Sequence, residues 1–144
     1  MRRCLERADV SQVIQKTWTV SDLSSIRKLE EDILDAVRQF GYSEPAQFSI
    51  RLAVGEAVNN GIRHGNRRDE AKRVRVDLLV DANHTSVTVT DEGPGFSPDN
   101  VPDPTRDENL DKPSGRGIML IRAYMDEVSY NEQGNQVYMV KKRH

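Results

Sequence analysis

Between Val74 and Thr90 apolar and polar side chains alternate, and this pattern limits the folds open to the chain more than any other feature. Val74, Val76, Leu78 and Val80 fall on one side of an extended backbone, with Arg75 and Asp77 on the other. Val87 and Val89 repeat the pattern against Ser86, Thr88 and Thr90. Strand side chains point to opposite faces in turn, so a period of two marks a sheet with one apolar and one wet face. Asp81-Ala82-Asn83-His84 between the runs reads as a hairpin turn. The apolar face of such a sheet needs a second layer to cover it.

Helical segments supply that layer. Ser21 reads as an N-cap with Asp22 in the first turn, and Ile26, Leu29, Ile33, Leu34, Val37 and Phe40 then recur at helical spacing until Gly41. A second helix is predicted to start near Ser43-Glu44-Pro45 and run to about His64, stopped by Gly65-Asn66. A third is predicted over Ile118 to Met125. Strands are predicted ahead of the first helix, over Val10–Val20, and at the chain's end, around Val128–Tyr130 and Gln136–Val140, with Glu132-Gln133-Gly134-Asn135 as their turn. Lys141 to His144 reads as a solvated basic end. The order predicts a two-layer α/β (α+β) sandwich, a mixed, mostly antiparallel sheet covered on one face by three helices. Between the second hairpin strand and the third helix, Gly93–Pro113 holds five prolines and little to bury, a length of irregular chain that in a small domain is usually functional or disordered.

Composition narrows the classes further. The 144 residues suffice for one core, so a single domain over 1–144 is expected. Lys+Arg number 21 against 23 Asp+Glu, and a net charge of -2 argues against gripping nucleic acid by bulk charge. The one cysteine, Cys4, has no internal disulfide partner, and no zinc-ligand spacing is visible. No apolar run approaches the ~20 residues of a membrane span, and the N-terminus lacks an apolar signal segment. A cytoplasmic protein without membrane or direct nucleic-acid partners is expected.

Three segments carry chemistry. On a helix Glu56, Asn60 and His64 are spaced i, i+4, i+8 and form one polar stripe opposite Ile50, Val54, Ala57, Val58 and Ile62. An amide oxygen suits a hard cation such as Mg²⁺, and a carboxylate one turn away can take a proton from an attacking hydroxyl. An ordinary solvent face presents the same residues, and the helix by itself favours that reading. Asp91-Glu92-Gly93-Pro94-Gly95 follows a strand, where two glycines let the backbone approach a ligand and a carboxylate can accept from an exocyclic amine; a simple turn has the same composition. Ser114-Gly115-Arg116-Gly117 opens a helix, whose first N–H groups and dipole favour an anion; a flexible linker is the alternative.

The three segments occur in order, each at its structural junction, and together they resemble the N, G1 and G2 boxes of the Bergerat-fold (GHKL, histidine-kinase-like) ATPases. Glu56-Ala57-Val58-Asn59-Asn60 with His64-Gly65, and Ser-Gly-x-Gly at 114–117, are most similar to the anti-sigma-factor serine kinases of the RsbW type. The resemblance implies ATP and Mg²⁺ as cofactors, with Asn60 as the metal ligand and Glu56 as the general base. It implies Asp91 as reader of the adenine amine, helped by Gly93 and Gly95. Ser114, Gly115, Arg116 and Gly117 would lie on the phosphates, His64 would touch phosphate or support the site, and residues 96–113 would be the lid. It further implies a serine kinase that phosphorylates a STAS-type anti-anti-sigma protein, sequesters a sigma factor and forms a homodimer. Pro113 stands where some members carry a basic residue, leaving Arg106 and Lys112 as the basic residues of that segment. A module that holds nucleotide and captures a sigma factor or another regulator without phosphorylating it is the alternative.

Overall fold

The computed structural model describes residues 12–67, 69, 71–94 and 115–143. Among these residues five strands form one sheet: β1 (Ile14–Val20), β2 (Val74–Val80), β3 (His84–Thr90), β4 (Glu127–Tyr130) and β5 (Gln136–Lys142), in the order β1-β2-β3-β5-β4. The expectation of a mostly antiparallel sheet holds throughout, since every described pairing is antiparallel. Three α-helices among the described residues lie against it: α1 (Ile26–Arg38), α2 (Glu44–Asn60) and α3 (Gly115–Tyr124).

Register explains the layering. Trp18 pairs with Val76, Val76 with Val89, Val89 with Val137, and Val137 with Tyr130, so one row of side chains crosses all five strands on the helix-covered face. Lys16, Leu78, Val87, Met139 and Val128 form the next row. In β2 every second residue is buried, which is the alternation read from the sequence. Ile33, Val37, Ile50, Val54 and Val58 press onto this face from α1 and α2, and Ile121 from α3. Burying each such side chain contributes roughly 1.5–3 kcal/mol, so this seam is the main source of stability.

Local signals place the helix ends. Asp22, rather than Ser21, caps the first helical turn, its Oδ1 accepting from the Ser25 N–H at 3.1 Å. Gly41 ends the α1 region at φ 74°, a backbone conformation that favours glycine. Ser43 caps α2 by accepting from the Ala46 N–H at 3.3 Å, and Pro45 sits in the first turn. α2 is shorter than predicted. At Gly61 it widens into a π turn over Gly61–Gly65, closed by the Asn66 N–H donating to the Gly61 carbonyl at 2.8 Å. No apolar periodicity signals such a turn, and π turns are often found at functional sites. α3 starts three residues earlier than the apolar pattern suggested. The basic end is not a solvated tail at Lys141, which belongs to β5 and donates from Nζ to the Tyr124 carbonyl at 2.8 Å, placing a cation at the C-terminus of α3. No helix among the described residues is long and apolar enough to cross a membrane.

Candidate nucleotide site

The site forms where the end of α2, the end of β3 and the start of α3 meet. Asn60, Gly61, His64 and Gly65 come from α2 and its π turn, Asp91 from the end of β3, Ile121 from α3, and Tyr130, Gly134 and Asn135 from β4 and the turn after it. Together with the apolar walls Ala57, Val89 and Val137 they line one cavity. A cavity with apolar walls and a carboxylate in its lining suits a heteroaromatic base.

Three glycines make this meeting possible. A Cβ on Gly65 would collide with the Asp91 carboxylate, and a Cβ on Gly93 would collide with the backbone of Gly65. The π turn and the β3 end therefore pack backbone to backbone, closer than any side chain allows. A Cβ on Gly117 would lie 2.9 Å from Glu56 Oε1 and 3.3 Å from Asn60 Nδ2. The start of α3 is thus held against both polar residues of the α2 stripe, and the first and third sequence segments are in contact.

Asp91 is half-buried, and burial pushes its carboxyl above the usual carboxylate range. The Gly93 N–H, which donates to Oδ1 at 2.8 Å, and the Lys72 ammonium pull it back down. Buried Asn66 supports the same loop. Its Oδ1 accepts from the Glu92 N–H at 2.8 Å and its Nδ2 donates to the Arg73 carbonyl at 3.1 Å, tying the π turn to the start of β2 and the end of β3. Glu92 closes the knot by accepting from the Arg73 N–H at 2.9 Å.

Asn60, His64 and Asp91 share the cavity, and Gly93 buttresses it. His64 lies in the π turn, so a continuous i, i+4, i+8 stripe does not account for its place. Glu56 does not line the cavity. It faces a neighbouring groove between α1 and α2 with Ile26, Glu30 and Phe48, and reaches the site through its contact at Gly117. Gly115 begins α3. Gly95, Ser114, the side chain of Arg116 and the proposed lid at 96–113 lie outside the described residues. Asn66, Gly61 and Asn135 were not singled out by the sequence reading. Asn66 looked like a helix stop and Asn135 like a turn residue, and only their tertiary partners give them a further role.

Among the described residues no group of three or more His, Cys, Asp or Glu is placed to hold a metal. The donors present suit a cation bound mainly through a substrate's phosphates, with one amide oxygen from the protein at Asn60.

A family model described as histidine kinase-like ATPase domain matches residues 19–141. The chain belongs to the histidine kinase-like ATPase family. Membership in this ATPase family implies that the chain binds ATP. Named relatives agree with the assignment. This ATPase domain is 24% identical over 110 residues to a serine-protein kinase RsbW of Oceanobacillus iheyensis, covering 72% of this chain and 70% of the relative. It is 34% identical over 100 residues to an anti-sigma F factor of Clostridium perfringens, covering 65% of this chain and 70% of the relative. Among solved structures, the RsbU and RsbW domains of a Mycobacterium tuberculosis protein superpose with a TM-score of 0.58 at 13% identity, over 90% of this chain. The chain spans about a third, 32%, of that structure, and at this identity the likeness shows the fold.

Proposed function

We propose that this protein is an ATP-dependent protein serine kinase of a bacterial partner-switching module. It transfers phosphate to a serine or threonine of a STAS-type anti-anti-sigma protein and sequesters a sigma factor. The observation that carries this reading is the packing of Gly117 against Glu56 Oε1 and Asn60. It supports the reading because Glu56, the proposed proton acceptor, and Asn60, the proposed metal ligand, lie beside the helix start that would hold the phosphates. Phosphoryl transfer needs positioning and charge neutralisation more than covalent chemistry.

In the reaction the acceptor oxygen attacks the γ-phosphorus. A new P–O bond forms as the bond to the β-phosphate oxygen breaks, and ADP leaves. Glu56 takes the hydroxyl proton, approached from the α1–α2 groove that it also lines. Asn60 would hold Mg²⁺ through its amide oxygen, and the metal would supply charge neutralisation for the transferring phosphate. Asp91 accepts from the adenine amine. His64, on the cavity wall, touches phosphate or supports Asn60. Phosphorylation of the antagonist leaves the kinase holding its sigma factor, and the dephosphorylated antagonist competes it away. A homodimer belongs to the same reading, through β1, which among the described residues pairs on one side only.

The test is transfer of labelled γ-phosphate from ATP to a purified STAS-domain protein from the same genome. Glu56→Gln is expected to keep Mg²⁺-ATP affinity within about twofold while transfer falls by about 10²–10⁴-fold, the usual contribution of a general base. Transfer unchanged in that variant removes Glu56 from the mechanism. Stable capture of the partner with no transfer by the wild type favours the module that binds without phosphorylating.

A further inference from the structure

We propose that Asn135 is a positioning residue for base recognition: it fixes the backbone of Asp91 so that the carboxylate meets the exocyclic amine, and Asn131 orients Asn135 in turn. The inference rests on the reading of Asp91 given above.

Asp91 is the first residue past β3, where ordinary strand pairing stops at Thr90 and Gln136. Both of its backbone polar groups nevertheless go to Asn135. The Asp91 N–H donates to the Asn135 carbonyl at 2.9 Å, and the Asp91 carbonyl accepts from Asn135 Nδ2 at 3.3 Å. A side-chain amide thus extends the β3–β5 ladder by one residue. The amide has a defined orientation, because its Oδ1 accepts from Asn131 Nδ2 at 2.8 Å, which aims Nδ2 at Asp91. Asn131 is itself fixed. Its Oδ1 accepts from the N–H groups of Gly134, Asn135 and Gln136 at 2.7, 3.1 and 3.3 Å, and Gly134 holds the turn at φ 80°. Gly134 and Asn135 also line the nucleotide cavity, so this buttress stands in the site's own wall.

On the other side of the loop Asn66 grips the Glu92 N–H, and Gly93 orients the carboxylate. Among the described residues, only Asn135 holds Asp91 by the backbone of Asp91 itself. A hydrogen bond weakens steeply once distance or angle drifts, so a loosened backbone costs recognition of the amine while the apolar slot and the phosphate contacts remain.

The experiment is calorimetric affinity for Mg²⁺-ATP and for Mg²⁺-purine riboside triphosphate, which has hydrogen in place of the exocyclic amine. It uses the whole chain as wild type, Asn135→Ala, Asn135→Asp and Asp91→Asn. The wild type is expected to prefer ATP. Asn135→Ala and Asn135→Asp are expected to weaken ATP about tenfold and the amine-free nucleotide by less than about twofold, so that the preference collapses. Equal weakening of both nucleotides marks a merely structural role and overturns the proposal, as does an unchanged preference in the Asn135 variants. Asp91→Asn separates the two readings. If it erases the preference while both Asn135 variants keep it, only the role of Asn135 fails. If the wild type binds both nucleotides alike, the reading of Asp91 itself fails and takes this inference with it.

Discussion

Gly65, Gly93 and Asp91 form the tightest point of the site, and single atoms decide what happens there. The Cβ of Gly65→Ala would enter the space of the Asp91 carboxylate, which the Gly93 N–H holds at 2.8 Å and which cannot swing away without breaking that bond. Gly65→Ala is expected to weaken Mg²⁺-ATP by at least about tenfold in calorimetry, while the far-ultraviolet circular dichroism stays that of the wild type. Asp91 carries a pH signature. Burial raises its carboxyl, so the folded chain binds this proton more tightly than the unfolded chain does. The stabilisation is fully present below the unfolded carboxyl's pKa of about 3.9 and is lost as pH rises through the raised native value. At neutral pH the ionised carboxylate therefore costs stability, and the proposed recognition of the adenine amine needs it in that form. Asp91→Asn, whose Oδ1 can still accept from Gly93, is expected to melt higher than wild type at pH 7 without nucleotide, to lose that advantage on acidification, and to bind ATP poorly. A lower melting temperature for Asp91→Asn at pH 7 would contradict this account.

At the scale of elements, α2 carries Glu56 and Asn60 at its C-terminal end while its N-terminus is fixed far from the chemistry. Ser43 caps that N-terminus, and nearby Tyr42 donates its hydroxyl to the Asp81 carbonyl at 2.9 Å, tying the α1–α2 connection to the β2–β3 hairpin. Ser43→Ala is expected to lower the unfolding free energy by about 1 kcal/mol in urea titrations, with ATP affinity unchanged. A matching loss of ATP affinity would mean that the helix shifts as a unit when its cap is lost. The π turn is the element that makes the site. An α-helix continued through residue 65 would direct His64 and Gly65 differently, and Gly65 would no longer meet Gly93.

At the scale of the molecule, the edges of the sheet among the described residues are β1 and β4. β1 runs seven residues without proline, and Gln15, Thr17 and Thr19 on it are exposed. Lys16 is also exposed and is the strand's one charge, so the edge is only lightly protected against a further strand. The homodimer proposed above is expected to give a dimeric mass by light scattering at micromolar concentration, and Thr17→Pro, which breaks strand pairing, is expected to give a monomer. Thr17 Oγ1 donates to Asp77 at 2.7 Å within the chain, so the variant's melting temperature must be read alongside its mass. A monomeric wild type rules out the dimer.

Much of this protein was legible in its sequence, because the signals involved are local. The period-two runs at Val74–Val80 and Val87–Val89 dictated strands and their buried face. Gly41 and Ser43 marked one helix's end and the next one's start, and the order of the Glu56–Asn60, Asp91–Gly93 and Gly115–Gly117 segments resembled one ATPase family. What the sequence left open depends on residues far apart in the chain. The π turn is set by how Gly61 and Gly65 fit against Asp91, 30 and 26 positions away in the sequence. Asn66 and Asn135 look like ordinary turn residues until the fold supplies the Glu92 N–H and the Asp91 backbone as their partners. Lys141 reads as a solvated tail until β5 brings it to the last carbonyl of α3. Local propensity and periodicity thus determined the elements and the type of chemistry, whereas the tertiary structure decided which backbone atoms meet. Such contacts are set by packing across the chain, and no short stretch of sequence encodes them.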